Sequence, residues 1–434
     1  MELTVALILF VICMAGALIT DITMIAPLLI GFILFSFAAI KKGYSIKQII
    51  SFAAGSFKDS FIVIRILLLI GCLTGSWRQS GTVAYFVSAG IRLIPPQVFL
   101  PAVFLLSAAM SYAIGTSFGV TATAGVILMS IARAADVSVL LTAGAVMSGV
   151  YVGDRGSPAA SSGNLVSVLT HTDMRENVKA MLACSIVPFL ICCVFYTLLS
   201  FLFPVKEIDT GVLNLLSGEF AMKWLCLIPA VIMIALPFMG IKVRYAMLIS
   251  LLSSCVIGLT VQKATVWECL KPLLFGYEAA DPALETMISG GGILSMLEVS
   301  GILLISGTYG GIFRGTGLLD GINRKLLRAK EHIGRFPVML LLSAGICALF
   351  CNQTIGAIMV SQLSDGLYDE DEKKRKMLDM ENSIILIAGL VPWCIACSVP
   401  LAMLGADAAS IPFAAYLWLV PLWWWLRGPK HKIR

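Results

Sequence analysis

Long apolar stretches recur along the whole chain and set the first limit on its fold. Of the 434 residues, 59% are hydrophobic and 13% are charged, whereas about a quarter are charged in soluble domains. Eight stretches approach the roughly 20 residues that a helix needs to cross a bilayer, at 4–19, 22–40, 61–76, 178–203, 222–240, 245–262, 286–313 and 411–427. We therefore predict an all-α polytopic protein of the cytoplasmic membrane, with about 10–13 helices.

Three further apolar segments are interrupted by small and polar residues. Glycine, proline, serine, threonine and asparagine break them at 98–131, 138–170 and 337–404. Backbone groups within a bilayer must find hydrogen-bond partners, so such breaks are tolerated only inside protein or beside a water-filled cavity. We therefore expect broken or re-entrant helices at the membrane midplane.

Lysine and arginine in the short loops predict how the chain crosses the membrane. Segments 41–47 and 314–335 and the tail after residue 426 are basic, so we expect them in the cytoplasm. The loop over 263–285 is poor in basic residues and is expected outside. Helices at 61–76 and 286–313 would then run in opposite directions. Because the basic residues report topology, the net charge of +6 does not indicate a nucleic-acid partner.

Two parts of the chain resemble each other. GSWRQSGT at 75–82 aligns with GIFRGTGL at 311–318, and GTSFG at 115–119 aligns with NQTIG at 352–356. Similar units with opposite orientation are typical of inverted-repeat transporters, whose binding site lies between broken helices at the midplane. The alternative is a chance likeness between glycine- and serine-rich helices. For the loop over 365–376, the basic residues predict the inside and the repeat predicts the outside.

The repeat divides the chain into four regions. These are N-terminal helices with a cytoplasmic loop, a first inverted repeat with the transport-site helices, linking scaffold helices with an external loop, and a second inverted repeat with a basic tail. They cover 1–58, 59–203, 204–285 and 286–434.

Each break carries side-chain oxygens that suit a dehydrated cation. Such oxygens, with carbonyls freed from helix hydrogen bonding, replace the water around an ion. Helix amino termini can equally hold an anionic group. The alternative is that these side chains only hydrogen-bond neighbouring helices. The candidates are Thr116, Ser117, Thr121, Thr123, Asp154, Ser157, Ser161, Ser162, Asn164, Asn352, Gln353 and Thr354.

Ionisable residues inside apolar segments are costly, which makes them functional candidates. Asp154 is expected to bind a cation or exchange a proton, and Arg155 to keep it ionised or anchor the broken helix, unless the two form only a structural pair. Arg65 either anchors a substrate carboxylate or reaches back to the membrane surface. Glu298 is expected to be a proton or cation site or the partner of a buried arginine. Facing one cavity, Arg65 and Glu298 would suit the two ends of an amino acid.

These motifs resemble those of the NhaC family of sodium/proton antiporters. GDRGSPAASSGN at 153–164 is similar to the family signature, usually close to G-D-K-x-S-P-L-S-D-T-T-N, and the likeness extends to GTSFG, SGGGILSML, CNQTIG and LVPW. It covers about residues 20–425 and identifies a divergent member. Arg155 replaces the usual lysine and Ser161 replaces the second aspartate.

The resemblance also implies a site and an architecture. Two inverted halves, a scaffold, a mobile transport region and a homodimer are expected from it. It implies no cofactor, Na+ and H+ as coupling ions, and no metal beyond a Na+ at Asp154 and Thr116. The residues that it assigns to the ion and substrate site or its surroundings are Thr116, Ser117, Asp154, Ser157, Asn164, Asn352, Gln353 and Trp393.

The sequence favours cation-coupled secondary transport by alternating access, with sodium/proton antiport as the default. Because Ser161 stands where a proton-carrying carboxylate is usual, transport or exchange of a small amino acid or organic acid stays open. An intramembrane enzyme is a distant alternative, since the three histidines fall in or beside predicted loops and no HExxH occurs. A passive channel is disfavoured by the inverted repeat with broken helices.

Overall fold

Helices form nearly all of the regular structure of this chain. The computed structural model describes residues 3–20, 22–55, 57–93, 96–203, 211–317 and 322–427. Within those ranges there is no β-strand, and a single antiparallel bridge joins Tyr277 to Gly290. The predicted all-α membrane fold is confirmed. Residues 428–434 of the basic tail lie outside the described residues.

The amino-terminal part contains five helices. Phe10 and Phe35, from the first two helices, meet edge to face with ring centroids 5.3 Å apart. On the outer faces of these two helices Ile12 and Ile33 are largely exposed, as expected of a surface that contacts lipid. The five are α1 (Leu3–Ile19), α2 (Ile25–Lys41), α3 (Ile46–Gly55), α4 (Phe57–Gln79) and α5 (Thr82–Leu93).

The next part contains the first breaks that the sequence predicts. After a short 3-10 helix (Pro96–Val98), one helix ends where Gly115 adopts the left-handed conformation, and a π-helix (Thr121–Gly125) follows a few residues later. The helices are α6 (Phe99–Ile114), α7 (Ser117–Val120), α8 (Val126–Ala134), α9 (Val139–Gly156), α10 (Ser161–Thr170) and α11 (Met174–Leu202).

The third part links the two broken regions. The plain span predicted over 286–313 begins later, because Gly290, Gly291 and Gly292 all have positive φ. Short 3-10 helices occupy Trp224–Leu227 and Ile293–Met296. The helices of this part are α12 (Gly211–Glu219), α13 (Ile228–Phe238), α14 (Val243–Thr260), α15 (Val266–Phe275), α16 (Pro282–Ile288) and α17 (Leu297–Thr316).

The carboxy-terminal part is broken again. The apolar segment predicted over 337–404 is divided at Cys351, which has a φ of 53°, and over 388–394. Two 3-10 helices cover Asp365–Leu367 and Ala408–Phe413. The helices are α18 (Ile322–Ile333), α19 (Arg335–Phe350), α20 (Gln353–Leu363), α21 (Lys373–Glu381), α22 (Ile384–Ile387), α23 (Ile395–Leu404) and α24 (Ala415–Arg427).

Few of the described helices could cross a membrane without a break. A fifth span would come from Leu213–Glu219 and Trp224–Pro237, which are bent by 95°, so the plain span predicted over 222–240 is part of a bent pair. Other apolar helices have only 10–17 residues. The helices long and apolar enough to span alone are Ser117–Ala134, Met174–Leu202, Val243–Thr260 and Ile293–Thr316.

Helix α9 lies at the centre of the fold. Every residue from Leu141 to Gly156 is buried, so the helix has no face toward lipid or water. Glycines at 149 and 153 lie one turn apart and let α6 approach closely, as in small-residue contacts between membrane helices. A Cβ on Gly153 would lie 1.9 Å from the carbonyl carbon of Ser111. This contact fixes the end of α9, which carries Asp154.

We expect Gly153→Ala to destabilise the protein, because the added Cβ meets backbone of α6 that a side-chain movement cannot clear. A loss of about 1–3 kcal/mol is typical of overpacking and would lower the melting temperature of the purified protein in detergent. Gly345→Ala in α19 is the matched control, since nothing lies within 4 Å of its added Cβ. Equal melting temperatures of wild type and Gly153→Ala would contradict this close contact.

Candidate functional site

The interrupted segments of the chain meet at the end of α9. A Cβ on Gly115 would lie 2.4 Å from the carbonyl carbon of Ala159, so the break after α6 touches the break after α9. The backbone N–H of Ile395, at the start of α23, donates to the carbonyl of Cys351 at 2.9 Å. Helix α7 packs against both α9 and α23. Breaks far apart in sequence therefore form one centre.

The breaks after α6 and α19 share the same local geometry. Each helix ends at a left-handed residue, Gly115 or Cys351, and an extended residue follows and caps the next helix. Asn352 accepts hydrogen bonds from the backbone N–H groups of Thr354 and Ile355 at 2.9 and 3.2 Å. Thr116 accepts one from Gly119 at 3.5 Å. This likeness supports the repeat, whose inverted orientation stays a prediction.

Asp154 lies in the last turn of α9 and is only 4% exposed. Its carboxyl group is in contact with the backbone N–H and hydroxyl of Ser117, the side-chain amide of Gln353 and the hydroxyl of Ser162. Its Oδ2 atom has no hydrogen-bond partner among the described residues. The amino end of α7 thus faces a buried carboxylate, and this end of a helix stabilises negative charge. The remaining oxygen is available to a proton or a metal cation.

Arg155 points away from Asp154, because consecutive helix residues differ by about 100° in direction. Its guanidinium, fully buried, donates to Oδ1 of Asn382 at 2.6 Å and to Sγ of Cys184 at 2.9 Å. The hydroxyl of Tyr416 accepts a third bond at 3.3 Å. Of the two roles predicted for Arg155, this geometry favours the anchor of the broken helix over the partner of Asp154.

Glu381 is a buried carboxylate that the sequence analysis missed. It ends α21, is fully buried, and neither of its carboxylate oxygens has a hydrogen-bond partner within the described ranges. It interacts electrostatically with both Arg155 and Asp154. The signal in the sequence was weak, because the preceding stretch DEDEKKRK reads as a solvated loop. Helix α21 instead carries the chain from that charged stretch into the interior.

Ion pairs hold the charged stretch in place. Lys376 contacts Oδ1 of Asp365 at 2.5 Å, and Arg335 donates to Oε2 of Glu372 at 2.6 Å. The second contact holds the pKa of Glu372 below its usual range. These pairs fix the start of α21 and therefore the position of Glu381 at its end.

Of the two serines that the sequence offers after Pro158, Ser162 and not Ser161 lies beside Asp154. Ser161 is exposed, whereas Ser162 is buried and its hydroxyl donates to the backbone carbonyl of Asp154. Asn164 is also exposed and donates to the carbonyl of Ala160 at 2.6 Å. Both serines lie in the first turn of α10. Because adjacent helix residues point about 100° apart, only one of them faces the site.

Other predicted residues support the backbone around Asp154. Buried Ser157 caps α9 and its hydroxyl accepts from the N–H of Ala159 at 3.1 Å. The indole of Trp393 donates to the carbonyl of Ala348 at 2.9 Å, which ties the last break to α19. The side chain of Thr354 is exposed and away from the centre.

Arg65 and Glu298 do not join this centre. Arg65 is exposed and stacks on the ring of Phe61, 4.9 Å from its centroid, which favours the predicted alternative of a side chain reaching the surface. Glu298 is exposed in the first turn of α17 and accepts a hydrogen bond from the hydroxyl of Thr23 at 2.7 Å. The structure therefore does not place them as the two ends of one amino-acid site.

Comparison with known proteins is consistent with this arrangement. A family model described as the Na+/H+ antiporter family matches residues 1–164 and 149–425. The chain is 26% identical over 408 residues to the malate-2H+/Na+-lactate antiporter of Bacillus subtilis, which covers 92% of this chain and 87% of that protein.

Two further relatives are similar over most of their length. The chain is 24% identical over 367 residues to the Na+/H+ antiporter NhaC of Alkalihalophilus pseudofirmus, covering 82% of this chain and 79% of that protein. It is 24% identical over 396 residues to the arginine/ornithine antiporter ArcD of Halobacterium salinarum, covering 86% and 79%.

The two buried ionisable residues beside Asp154 are expected to respond oppositely to neutralisation. Arg155→Gln removes donors from Asn382 and leaves Glu381 without a nearby cation, so a loss of about 3–5 kcal/mol is expected. Glu381→Gln has nearly the same shape and removes a buried charge whose oxygens have no hydrogen-bond partner among the described residues, so stability should be kept or raised. Thermal unfolding of both purified variants tests this. An equal loss in the two variants would mean that a structural partner holds the Glu381 carboxylate.

Proposed function

Since the chain belongs to the Na+/H+ antiporter family, we propose that Asp154 binds the ion that drives its transport. The protein is a secondary transporter of the antiporter type in the cell membrane, and its named relatives are transporters. One observation carries the proposal: an oxygen of the Asp154 carboxylate, buried where the breaks meet, has no hydrogen-bond partner among the residues that the structure describes.

The burial of Asp154 explains why transport through it would be coupled. An ionised carboxylate in a low-dielectric interior is costly unless it is paired or neutralised. Either H+ or Na+ neutralises it, and one carboxylate cannot hold both at once. Competition between the two ions for Asp154 therefore produces exchange, provided that only the neutralised site moves between the two sides.

The neighbours of Asp154 suit both ions. The N–H and hydroxyl of Ser117 stabilise the carboxylate when no cation is bound. The Ser117 hydroxyl and the Gln353 carbonyl are oxygen ligands of the kind that Na+ accepts, as are carbonyls freed at the breaks. Thr116 completes the predicted Na+ site only in part, because its hydroxyl caps α7.

Movement of one group of helices about this centre would give alternating access. The extended residue Thr116 and the segment 157–160 are the points where the chain leaves helical geometry. A homodimer, in which one part serves as scaffold, belongs to the same proposal. Exchange of H+ or Na+ for a small organic or amino acid is the second candidate, and a separate cavity favours it.

Asp154→Asn is expected to abolish Na+ uptake driven by a proton gradient in proteoliposomes. The amide is neutral, so it binds neither H+ nor Na+ to balance a charge. Folding and membrane insertion should be unchanged, as measured by size-exclusion chromatography and melting temperature. Asp173→Asn is the matched control: Asp173 only caps α11, and asparagine caps helices equally well. Coupled uptake that survives in Asp154→Asn would move the coupling ion elsewhere, for which Glu381 is the next residue to neutralise.

Substitution of the two adjacent serines tests which of them acts at the site. Ser162 lies beside Asp154 in the structure, whereas the site predicted from the sequence includes Ser161. Ser162→Ala removes a hydroxyl beside Asp154 and should weaken apparent Na+ affinity by about tenfold, the effect of a hydrogen bond worth about 1.4 kcal/mol. Ser161→Ala should change nothing, because that side chain is exposed. Half-saturating Na+ concentrations of transport measure both. The opposite ranking would show that α10 is rotated in the working protein.

A further inference from the structure

A cavity lined by two arginines lies apart from Asp154, among the ends of several helices. Its volume is about 440 Å³. It is bounded by α4 and the glycine turn before α17 on one side, and by the ends of α8 and α23 on the other. The lining residues are Thr74, Arg78, Arg133, Ser289, Gly290, Gly291, Ser295, Met296, Ala402, Met403 and Gly405.

Arg78 is the most unusual residue of this cavity. It is only 6% exposed, and one guanidinium nitrogen donates to the carbonyl of Thr74 at 3.1 Å. Its Nε has no hydrogen-bond partner in the part of the chain that the structure describes. A guanidinium carries five N–H donors, so most of its capacity is unused.

Arg133 brings a second positive charge to the same cavity. One of its nitrogens donates to the carbonyls of Leu404 and Gly405 at 2.7 and 2.9 Å, which holds the side chain in place. The described residues that line the cavity include no aspartate or glutamate. Two cations in a partly buried space without a facing carboxylate repel Na+ and favour an anion.

We propose that this cavity binds the carboxylate of a small organic or amino acid, the solute exchanged against the coupling ion. The proposal rests on the antiport function above and names the solute class for it. Arginine forms two parallel hydrogen bonds to a carboxylate, and Nε of Arg78, which has no partner among the described residues, is available for one of them. The volume is within the range of small-molecule sites, and hydroxyls of Ser289 and Ser295 line the cavity for further polar groups of the solute.

The position of the cavity relates it to Asp154. Arg133 lies in the last turn of the continuous helical stretch Ser117–Ala134, whose first residue contacts the Asp154 carboxyl. The two ends are separated by about 24 Å at the usual rise of 1.5 Å per residue. A solute at Arg133 and a cation at Asp154 therefore bind opposite ends of one helical stretch. The other wall includes α4, so a bound anion would join α4 to the end of α8.

The structure thus assigns to Arg78 and Arg133 the role for which the sequence offered Arg65. Arg78 appears in the motif GSWRQSGT, which the alignment of the two repeats had already marked. Arg65, by contrast, stacks on Phe61 at an exposed position. It is therefore a matched arginine for the test.

The test measures binding without any ion gradient. Purified protein in detergent is titrated with L-malate, L-lactate and L-glutamate, with melting temperature and calorimetric affinity as readouts. Dimethyl malate lacks the charge, and inorganic phosphate and sulfate distinguish a general anion site. At least one carboxylate should raise the melting temperature, and phosphate and sulfate should compete poorly with it. Dimethyl malate should have no effect.

Variants assign the binding to the cavity. Arg78→Gln should weaken carboxylate affinity by at least tenfold, and Arg78→Lys by less, because lysine keeps the charge without the paired donors. Arg133→Gln, at a half-exposed position, should weaken it too and serves if Arg78→Gln fails to fold. Arg65→Gln should bind like wild type.

The outcomes separate this site from the proposed coupling residue. Asp154→Asn should lose driven transport and keep carboxylate binding, so failure of one proposal does not imply failure of the other. Carboxylate affinity that is unchanged in both Arg78→Gln and Arg133→Gln would overturn the assignment. So would phosphate or sulfate binding without carboxylate binding, or no response to any of the three carboxylates.

Discussion

The centre of this protein depends on hydrogen-bond partners for the backbone where helices are interrupted inside the membrane. Free N–H and C=O groups in such a place are costly, so each break needs internal partners. Asn352 caps one helix with its side chain, and the carbonyl of Cys351 accepts from Ile395. These contacts draw the separate breaks together. The polar groups around Asp154 therefore provide hydrogen bonds for the interrupted backbone as well as for the proposed ion.

Adjacent residues at the end of α9 have opposite tasks because a helix directs them to different neighbours. Asp154 faces the amino end of α7, and one of its carboxylate oxygens has no hydrogen-bond partner within the described ranges. Arg155 faces Asn382 and Cys184 and stabilises the packing between α9, α11 and the segment after α21. Glu381 interacts electrostatically with both Asp154 and Arg155. The end of α9 therefore carries the Asp154 carboxylate, which faces the site, and the Arg155 guanidinium, which is held by hydrogen bonds. Arg155 keeps this end of the helix in position.

The sequence predicted where the chain breaks more reliably than which way side chains point. The breaks at Gly115 and Cys351, and the meeting of Ser117 and Gln353 with Asp154, could be read from polar residues inside apolar segments. Helix rotation could not, because a helix such as α9 is buried on all sides and has no polar face that fixes its direction. In α10 the adjacent Ser161 and Ser162 are chemically alike, so the sequence offers both and does not show that Ser162 is the buried one. Glu381 was missed because it follows a run of surface charges.

The close contact between α6 and α9 limits how this protein can change shape. Where the backbone of Gly153 rests on the carbonyl of Ser111, sliding by even a fraction of a turn would drive a neighbouring side chain into that carbonyl. We therefore expect the two helices to move together, with Asp154 at the end of α9. Opening to either side of the membrane must come from hinges elsewhere, at extended residues such as Thr116. An ion bound at Asp154 would then move together with this pair of helices and would not pass along a flexible channel.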